Sequence, residues 1–254
     1  MSSIQRSEPR SPLGSLAWLE RTLGQLTWAD RLWLLGSTVG WLGEGIRLAW
    51  RATRSDRLRF KLEDLEPPAT PMVNASREHL VRYSGSVVAN HSIRTGYWAV
   101  LALHQRGAEL APDDREAAWV AALLHDAGLE APPARGDFTL GGVEVVKTLA
   151  HQHRWSERQT HVACEAIAAH SNTQVDAERF GPVAWAMNVG VVGELSSLFH
   201  RAQMHPERIA ELEARFPRTD LRASLGRLIG AESRRFPGGR FALIGPFLRL
   251  IVRG

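Results

Sequence analysis

The stretch that decides the fold is AAWVAALL, residues 117–124, which is followed directly by His125 and Asp126. None of these eight residues is polar, so the stretch has no solvent-facing side at helical spacing. A helix that is apolar all round is a buried helix. We therefore expect a central helix here, with two polar side chains at its buried C-terminal end.

Helical signals recur on both sides of this stretch. Helices are expected over about residues 76–83 and 91–105, and another begins near Gly141. Asp113 or Asp114 can cap the central helix, and Ser156 with Gln159 matches a capping box for a helix that ends at His170. Pro182 suits the first turn of a further helix. With no alternating β pattern, the predicted fold class is all-α, a helical bundle with N- and C-terminal helical extensions.

Three parts can be separated along the chain. A Trp-rich helical extension covers residues 1–60, a central helical domain covers 61–202, and a C-terminal helical segment covers 203–254. The first boundary precedes a linker, Glu66–Pro71, whose three prolines cannot continue a helix. The first part holds five of the nine tryptophans: Trp18, Trp28, Trp33, Trp41 and Trp50.

That Trp-rich segment has two interpretations. Its aromatic residues and flanking arginines are typical of a helix in peripheral contact with a membrane surface. The favoured alternative is a helical extension packed on the core or on a second subunit, and we expect a homo-oligomer.

Composition limits the class of protein. Hydrophobic residues make up 44% and charged residues 23%, as in ordinary soluble proteins. The net charge is +4, but no nucleic-acid-binding motif accompanies it, so no nucleic acid partner is expected. The single cysteine, Cys164, lies in an apolar helical pattern and is expected in the core. No secretory signal is evident, and a cytoplasmic location is expected.

The pair His125-Asp126 needs an explanation at the end of a buried helix. Burying an imidazole and a carboxylate without partners is costly, and a metal ion would pair with both. The alternative is that Asp126 caps the next turn while His125 bonds to a backbone carbonyl. For an isolated pair this alternative is favoured.

Two further histidines change that balance. His91 and Arg94 lie three residues apart on one face of their predicted helix. A loop of ordinary length joins this helix to the central one, so antiparallel packing would bring His91 close to His125. His170 ends a third apolar stretch, Ala166–Ala169.

At this point the sequence resembles a known family. The residues Asn90–Arg94, the segment Ala122–Leu129 and the stretch Ala166–His170 together resemble the HD superfamily of metal-dependent hydrolases. Within it, the prolines of residues 67–71, about twenty residues before Asn90, resemble the cyanamide hydratase-like branch. The resemblance covers about residues 66–200. It implies that His91, His125 and Asp126 are metal ligands.

Two departures from the family pattern concern the metal. The family's fourth ligand is an aspartate in a pattern like Asp-Val-Val-Gly, and Gly190 takes that position here, with Glu194, Asn188 or a water as substitutes. Two-metal members carry an extra histidine where this chain has Phe138, followed by Thr139 where the branch usually has glutamate. His151 and His153 are expected at the surface. We therefore expect one divalent metal ion, zinc, iron or manganese.

The expected function is hydrolysis or hydration of a small-molecule substrate by metal-activated water. Asp126 could accept a proton, His170 could orient the water or bind substrate, and Arg94 could stabilise negative charge or form a structural salt bridge. One alternative is a phosphohydrolase acting on a nucleotide or phosphoester. Another is a degenerate, non-catalytic binding or scaffold protein, which Gly190 would favour.

Overall fold

A computed structural model describes residues 11–38, 61–105, 111–196 and 204–251. Within these ranges the chain is helical and forms no β-strand, which confirms the all-α prediction. The helices, in chain order, are α1 (Leu16–Thr22), α2 (28–38), α3 (Leu62–Leu65), α4 (Pro71–Tyr83), α5 (Ser86–Gln105), α6 (Pro112–Leu124), α7 (Ala127–Glu130), α8 (Thr139–His153), α9 (Glu157–Ala169), α10 (Ala177–Phe180), α11 (Pro182–Leu195), α12 (Pro206–Arg215), α13 (Leu221–Arg235) and α14 (Arg240–Ile251).

Helix α6 is the centre of the fold, as its sequence predicts. Residues 117–124 are all buried, and α4, α5, α8, α9 and α11 pack around them. Trp119 is fully buried and donates its indole N–H to the carbonyl oxygen of Leu65 (3.2 Å). Its ring lies against Gly96 of α5, where a Cβ would come within 2.3 Å of the ring. The small residue on α5 therefore makes room for the large one on α6.

Gly128, which lies two residues after Asp126, allows helices α7 and α8 to pack very close together. A Cβ on Gly128 would lie 1.9 Å from the carbonyl oxygen of Phe138, and one on Gly141 would lie 2.8 Å from the Cα of Gly128. Only glycine leaves α7 free to pack this tightly on the start of α8. The contact fixes where the chain goes directly after Asp126.

Three helices begin earlier than predicted. Helix α4 begins at Pro71, because proline is tolerated at the first helical position and Thr70 caps it by accepting the N–H of Val73. Helix α5 begins at Ser86. Helix α6 begins at Pro112, so Asp113 and Asp114 lie in its first turn and neither is its N-cap, which corrects that prediction.

The N-terminal segment packs on the central helices through α1. Trp18 and Leu19 are buried, and the N–H of Leu16 donates to Glu165 on α9 (2.7 Å). From the other end of the chain, the buried Arg240 lies over the Trp18 ring at 5.4 Å. Both terminal segments thus contact the centre of the fold. The predicted boundaries at residues 60 and 202 lie outside the described residues, as do Trp41 and Trp50.

Helix α2 presents an apolar outer side. Trp28 is 78% exposed and Leu32 64% exposed, one turn apart. Contact with a membrane surface and homo-oligomerisation both stay predictions. Among the described helices, none combines the length and the apolar character that crossing a bilayer requires.

Candidate metal centre

The three residues predicted as metal ligands come together in the fold. His91 is on α5, His125 is the C-cap of α6, and Asp126 follows it. The Nε2 atoms of the two histidines are 3.3 Å apart, and Asp126 Oδ2 lies 3.5 Å from His91 Nε2 and 3.2 Å from His125 Nε2. All three side chains are buried. Packing of α5 against α6 therefore produces the juxtaposition that the sequence predicted.

Hydrogen bonds at the far side of each ring fix the histidine tautomers. His91 Nδ1 lies 3.2 Å from Glu194 Oε1, and His125 Nδ1 lies 2.8 Å from the carbonyl oxygen of Ala122. Carboxylate and carbonyl oxygens only accept, so each Nδ1 carries the hydrogen. Each Nε2 is left with a free lone pair, which is the form that ligates metals.

These atoms fit a metal ion. Ligand atoms held about 2.0–2.2 Å from one ion lie roughly 2.9–3.5 Å from each other in tetrahedral or octahedral geometry. The three separations here, 3.2, 3.3 and 3.5 Å, fall in that range. Two imidazole nitrogens and an anionic carboxylate oxygen also converge on one point, an arrangement that a bound cation would stabilise. His91, His125 and Asp126 are a group that could hold a metal ion.

The sequence offered an alternative to metal binding, in which His125 bonds to a backbone carbonyl and Asp126 caps the next turn. The structure shows only the first of these two bonds. The His125 ring does bond a backbone carbonyl, but through Nδ1, which leaves Nε2 directed at the cluster. Asp126 is the N-cap residue of α7, yet its side chain accepts no capping hydrogen bond. The carboxylate is therefore available to the cluster.

The surroundings of the cluster keep the Asp126 carboxylate charged and the His170 imidazole neutral. Burial favours the neutral form of Asp126, but the neighbouring histidines, His125 first, hold its pKa below the ordinary range. Burial lowers the pKa of His91, and it lowers the pKa of His170 to about 3, so that the His170 imidazole is neutral near pH 7. His125 differs from these two: burial lowers its pKa, but the adjacent Asp126 outweighs burial, so the pKa of His125 is raised. The site thus combines a neutral His170 imidazole with an anionic carboxylate that stabilises positive charge at His125.

Behind His91 lies a buried charge cluster centred on Glu194. Its Oε1 accepts from Arg94 Nε (3.0 Å) and Nη2 (2.5 Å) as well as facing His91, and Arg218 pairs with Oε2. Burial raises the pKa of Glu194, but the hydrogen bond from His91 and the two arginines outweigh it and set the pKa at about 2. A carboxylate on the outer nitrogen of a metal-ligating histidine fixes the ring and raises its basicity.

This cluster gives Arg94 one of its two predicted roles and gives Glu194 a role other than that of substitute ligand. The remaining nitrogen of Arg94 donates to the carbonyl oxygens of Phe216 (2.7 Å) and Pro217 (2.8 Å). Arg94 therefore forms the structural salt bridge that the sequence left as its alternative, and it does not line the cavity beside the cluster. Glu194 accepts a hydrogen bond from His91 Nδ1 and so fixes the orientation of the His91 ring.

His170 lies beside the cluster, as predicted. Its Nδ1 is 2.7 Å from the carbonyl oxygen of Ile167, and its Nε2 is 3.7 Å from Asp126 Oδ1. The ring of Phe138 packs edge-on against His170 at a centroid distance of 5.6 Å. Asn188, named as a substitute ligand, instead donates to the carbonyl oxygens of His170 (3.0 Å) and Asn172 (2.7 Å) and fixes this turn. His151 and His153 are exposed, as expected.

Gly190 is a packing residue in this structure. A Cβ at position 190 would lie 2.9 Å from the Thr95 carbonyl oxygen and 2.9 Å from the Ala99 nitrogen, both on α5. That direction leads into the backbone of α5, one turn or more past His91. The absence of a side chain at Gly190 allows α5 and α11 to pack closely, and the Cβ of an aspartate there would meet the backbone of α5.

We expect Gly190→Asp to lower the free energy of unfolding by about 2 kcal/mol or more, without tightening metal binding, because the new side chain meets buried backbone. Chemical denaturation and metal titration measure the two quantities. The matched control is Gly226→Asp on α13, where a Cβ has nothing within 4 Å. A stable Gly190→Asp protein with tighter metal binding would show that position 190 is the missing ligand position.

A cavity of about 160 Å³ opens beside the cluster. Its polar end holds the cluster with His170, Ser171, Asn172, Thr173 and Thr38. The rest of its wall is hydrocarbon, from Leu129, Val191, Val192, Leu195, Leu225, Ile229, Phe241, Ile244, Phe247 and Leu248. Neither arginine nor lysine occurs among the described residues of this wall.

Sequence reasoning missed most of this wall. Thr38 comes from α2, and six of the ten apolar wall residues come from α13 and α14, segments whose predicted role was only an extension of the fold. The one usable signal was the polar trio Ser171-Asn172-Thr173 directly after His170. The apolar wall residues have no signal of their own, because their spacing is that of any amphipathic helix.

The structure combines an all-helical fold with a buried His-His-Asp cluster that could hold a metal ion. The HD domain family model matches residues 88–216, which include the whole cluster, and the chain belongs to this family. Its members are generally metal-dependent hydrolases. A comparison with curated proteins gives no match. The family match does not distinguish branches, so the resemblance to the cyanamide hydratase-like branch stays a prediction.

Proposed function

We propose that this protein is a metal-dependent hydrolase or hydratase that acts on a small, neutral and largely apolar molecule. One divalent ion, zinc, iron or manganese, would be held by His91, His125 and Asp126. The observation that carries the proposal is the cavity wall, which joins this polar cluster to a hydrocarbon surface without a cation in its described part.

The residues of the cluster fit hydrolytic chemistry. A divalent ion bound there would lower the pKa of a water ligand toward neutrality and so would supply hydroxide near pH 7. His170 Nε2 is an unprotonated acceptor on the same side as Asp126 Oδ1, 3.7 Å away. It is suited to orienting a water or accepting its proton. Asp126 has its second oxygen free for the same task.

The apolar wall of the cavity also limits which substrates can bind beside the cluster. Ten of its residues are apolar, so most of the space beside the cluster offers water no hydrogen-bonding partner. A water-poor site strengthens the electrostatic interactions that stabilise charge in the reaction. A neutral head group such as a nitrile or an amide, next to the cluster, leaves the remainder of the molecule in contact with hydrocarbon.

The phosphohydrolase alternative is less well supported by this site. Phosphate recognition in proteins relies on arginine or lysine close to the phosphate oxygens. Arg94, the arginine nearest to the ligands in sequence, is committed to Glu194 and to two backbone carbonyls. The scaffold alternative rested on Gly190, for which the close packing of α5 against α11 supplies a separate reason.

The test combines metal analysis with a substrate panel. The protein is purified without a histidine tag or added metal, its metal content is measured by mass spectrometry, and samples are reconstituted with zinc, iron(II) or manganese(II). Each is assayed with straight-chain nitriles and amides of two to ten carbons, and with p-nitrophenyl phosphate and a nucleoside monophosphate. We expect about one equivalent of metal and turnover of the neutral compounds.

Each other outcome assigns a different function. Turnover confined to the phosphate compounds would overturn the proposal in favour of the phosphohydrolase. Failure to retain any of the three metals would favour the binding or scaffold protein.

A further inference from the structure

Helix α2 carries apolar side chains on both its inner and its outer side. On the inner side Leu34 is fully buried, and Thr38 lines the cavity beside the cluster. The outer side presents Trp28, Leu32 and Leu35, which are 78%, 64% and 37% exposed. Their spacing of i, i+4 and i+7 places them on one face of the helix. A surface helix normally turns polar residues to the solvent, so an apolar outer face points to a further contact.

Exposed apolar side chains are concentrated on this short helix. Eight large hydrophobic side chains are exposed in the described part of the chain, and the eleven residues of α2 hold four of them: Trp28, Leu32, Trp33 and Leu35. Single exposed apolar residues are normal on a soluble protein, whereas a group of them marks a surface that contacts a partner. The outer face of α2 is therefore a candidate contact surface.

This face lies next to the cavity beside the cluster. Thr38, at the C-terminal end of α2, lines the cavity, and Leu35 lies one turn before it. Phe247 of α14 also lines the cavity and is 42% exposed, so this residue belongs both to the cavity wall and to the protein surface. Apolar surface outside the protein is thus close to the apolar wall inside it.

The charges around this face suit an anionic surface. The acidic residue of α2 is Asp30, whose carboxylate accepts from the N–H and the hydroxyl of Thr27 (2.9 and 2.7 Å) at the start of the helix. The same helix carries Arg31, and Arg249 of α14 is exposed. In the sequence, residues 39–60 follow α2 directly and contain five arginines and two acidic residues. Tryptophan and leucine flanked by arginine are typical of segments that bind anionic lipid.

We propose that the outer face of α2 docks on an anionic lipid surface through Trp28, Leu32 and Leu35. Indole rings are favoured at the boundary between lipid head groups and acyl chains. A symmetric dimer through the same face fits less well, because it would bring Arg31 of both copies into one apolar interface.

Docking would also place the cavity beside the lipid. Phe247 would then lie at the lipid surface, and an apolar substrate dissolved there could enter the cavity without crossing bulk water. This consequence rests on the function proposed above. The docking itself depends only on the residues of the outer face and on the charges around it.

Vesicle sedimentation with the full-length protein tests the docking. Vesicles of phosphatidylcholine alone are compared with vesicles of phosphatidylcholine and phosphatidylglycerol. Binding to the mixed vesicles is expected to be at least about tenfold tighter, because each arginine near the surface is attracted by the anionic head groups. Added salt is expected to reduce this preference, because it screens the attraction.

A double variant tests the residues of the face. Trp28→Ala/Leu32→Ala is expected to bind the mixed vesicles at least about tenfold more weakly, because it removes most of the apolar area that would enter the lipid. Its melting temperature and metal content are expected to match those of the wild type, since both side chains are largely exposed. The matched control is Val81→Ala/Tyr83→Ala on α4, at side chains that are 66% and 57% exposed, and it should bind vesicles as the wild type does.

Three results would overturn the proposal. Unchanged vesicle binding by Trp28→Ala/Leu32→Ala would place the lipid contact elsewhere in the chain. Equal binding to neutral and mixed vesicles would contradict the anionic partner. Absence of binding to both would exclude lipid, and a dimer in analytical ultracentrifugation that this variant dissociates would then identify a second copy as the partner. Because vesicle binding is measured without substrate or added metal, failure of the hydrolase proposal would leave this test intact.

Discussion

His125→Ala is expected to lose metal binding by at least about a hundredfold and to lose any turnover with it. Even the outer partners of metal-ligating histidines are typically worth 10–100-fold in affinity, and His125 supplies a ligand atom itself. Its Nε2 lies 3.3 Å from His91 Nε2 and 3.2 Å from Asp126 Oδ2, so its removal opens one side of the cluster. Metal content by mass spectrometry and zinc titration measure the loss.

Thermal melting provides a second readout of the same variant. A metal that binds only the folded chain stabilises it in proportion to the logarithm of its concentration over the dissociation constant. The wild-type melting temperature should therefore rise with added zinc, and that of His125→Ala should not. The matched control is His151→Ala, which removes an exposed histidine. Unchanged metal content in folded His125→Ala would mean that the cluster is not the metal site.

Glu194→Gln is expected to destabilise the fold by about 3–5 kcal/mol, because it leaves buried arginine charge without its partner. Glu194 and Arg94 are each 1% exposed, and Arg218 pairs with the same carboxylate. Since Glu194 also accepts from His91, metal affinity should fall by about 10–100-fold. Urea denaturation and zinc titration measure the two effects. Glu207→Gln, at a side chain that is 80% exposed, is the control and should be nearly neutral.

The same variant predicts a pH dependence with a definite sign. The pKa of Glu194 is lowered from 4.5 to about 2, so its ionised form is favoured by folding. That stabilisation is complete above pH 4.5 and is lost as the pH falls toward 2. The stability difference between wild type and Glu194→Gln should therefore shrink over this window. A difference that stayed constant down to pH 2 would show that the charge of Glu194 does not stabilise the fold.

Much of the polar site was predictable because several of its residues are marked by local sequence. His125 and Asp126 follow the apolar stretch of α6, and His170 follows the apolar end of α9. Polar residues at the buried ends of apolar helices are costly without partners, which is why they stand out. Antiparallel packing of two consecutive helices predicted that His91 lies close to His125, and its role as a ligand was implied by the resemblance to the HD superfamily. The helix starts were less predictable, because a proline at Pro71 or Pro112 both ends one segment and begins the next helix.

The partners of these ligands could not be read from the sequence. The separation between Arg94 and Glu194 is 100 residues, and their pairing depends on how α5 and α11 lie against each other. A pattern match assigned Gly190 to a lost ligand, whereas its Cβ direction shows a close helix contact. Side-chain direction depends on the rotation of a helix about its axis, which packing sets and residue order does not.

The sequence by itself determined that the chain is helical, that residues 117–124 are its buried centre, and that two polar residues, His125 and Asp126, lie at the end of that centre; the ligand set with His91 was implied by the resemblance to the HD superfamily. Helical periodicity and the cost of buried polar groups act locally, so both can be read in one dimension. Only the tertiary structure decided the histidine tautomers, the role of Glu194 and the apolar wall from α13 and α14. These depend on contacts between segments distant in the chain, and helix packing alone brings those segments together.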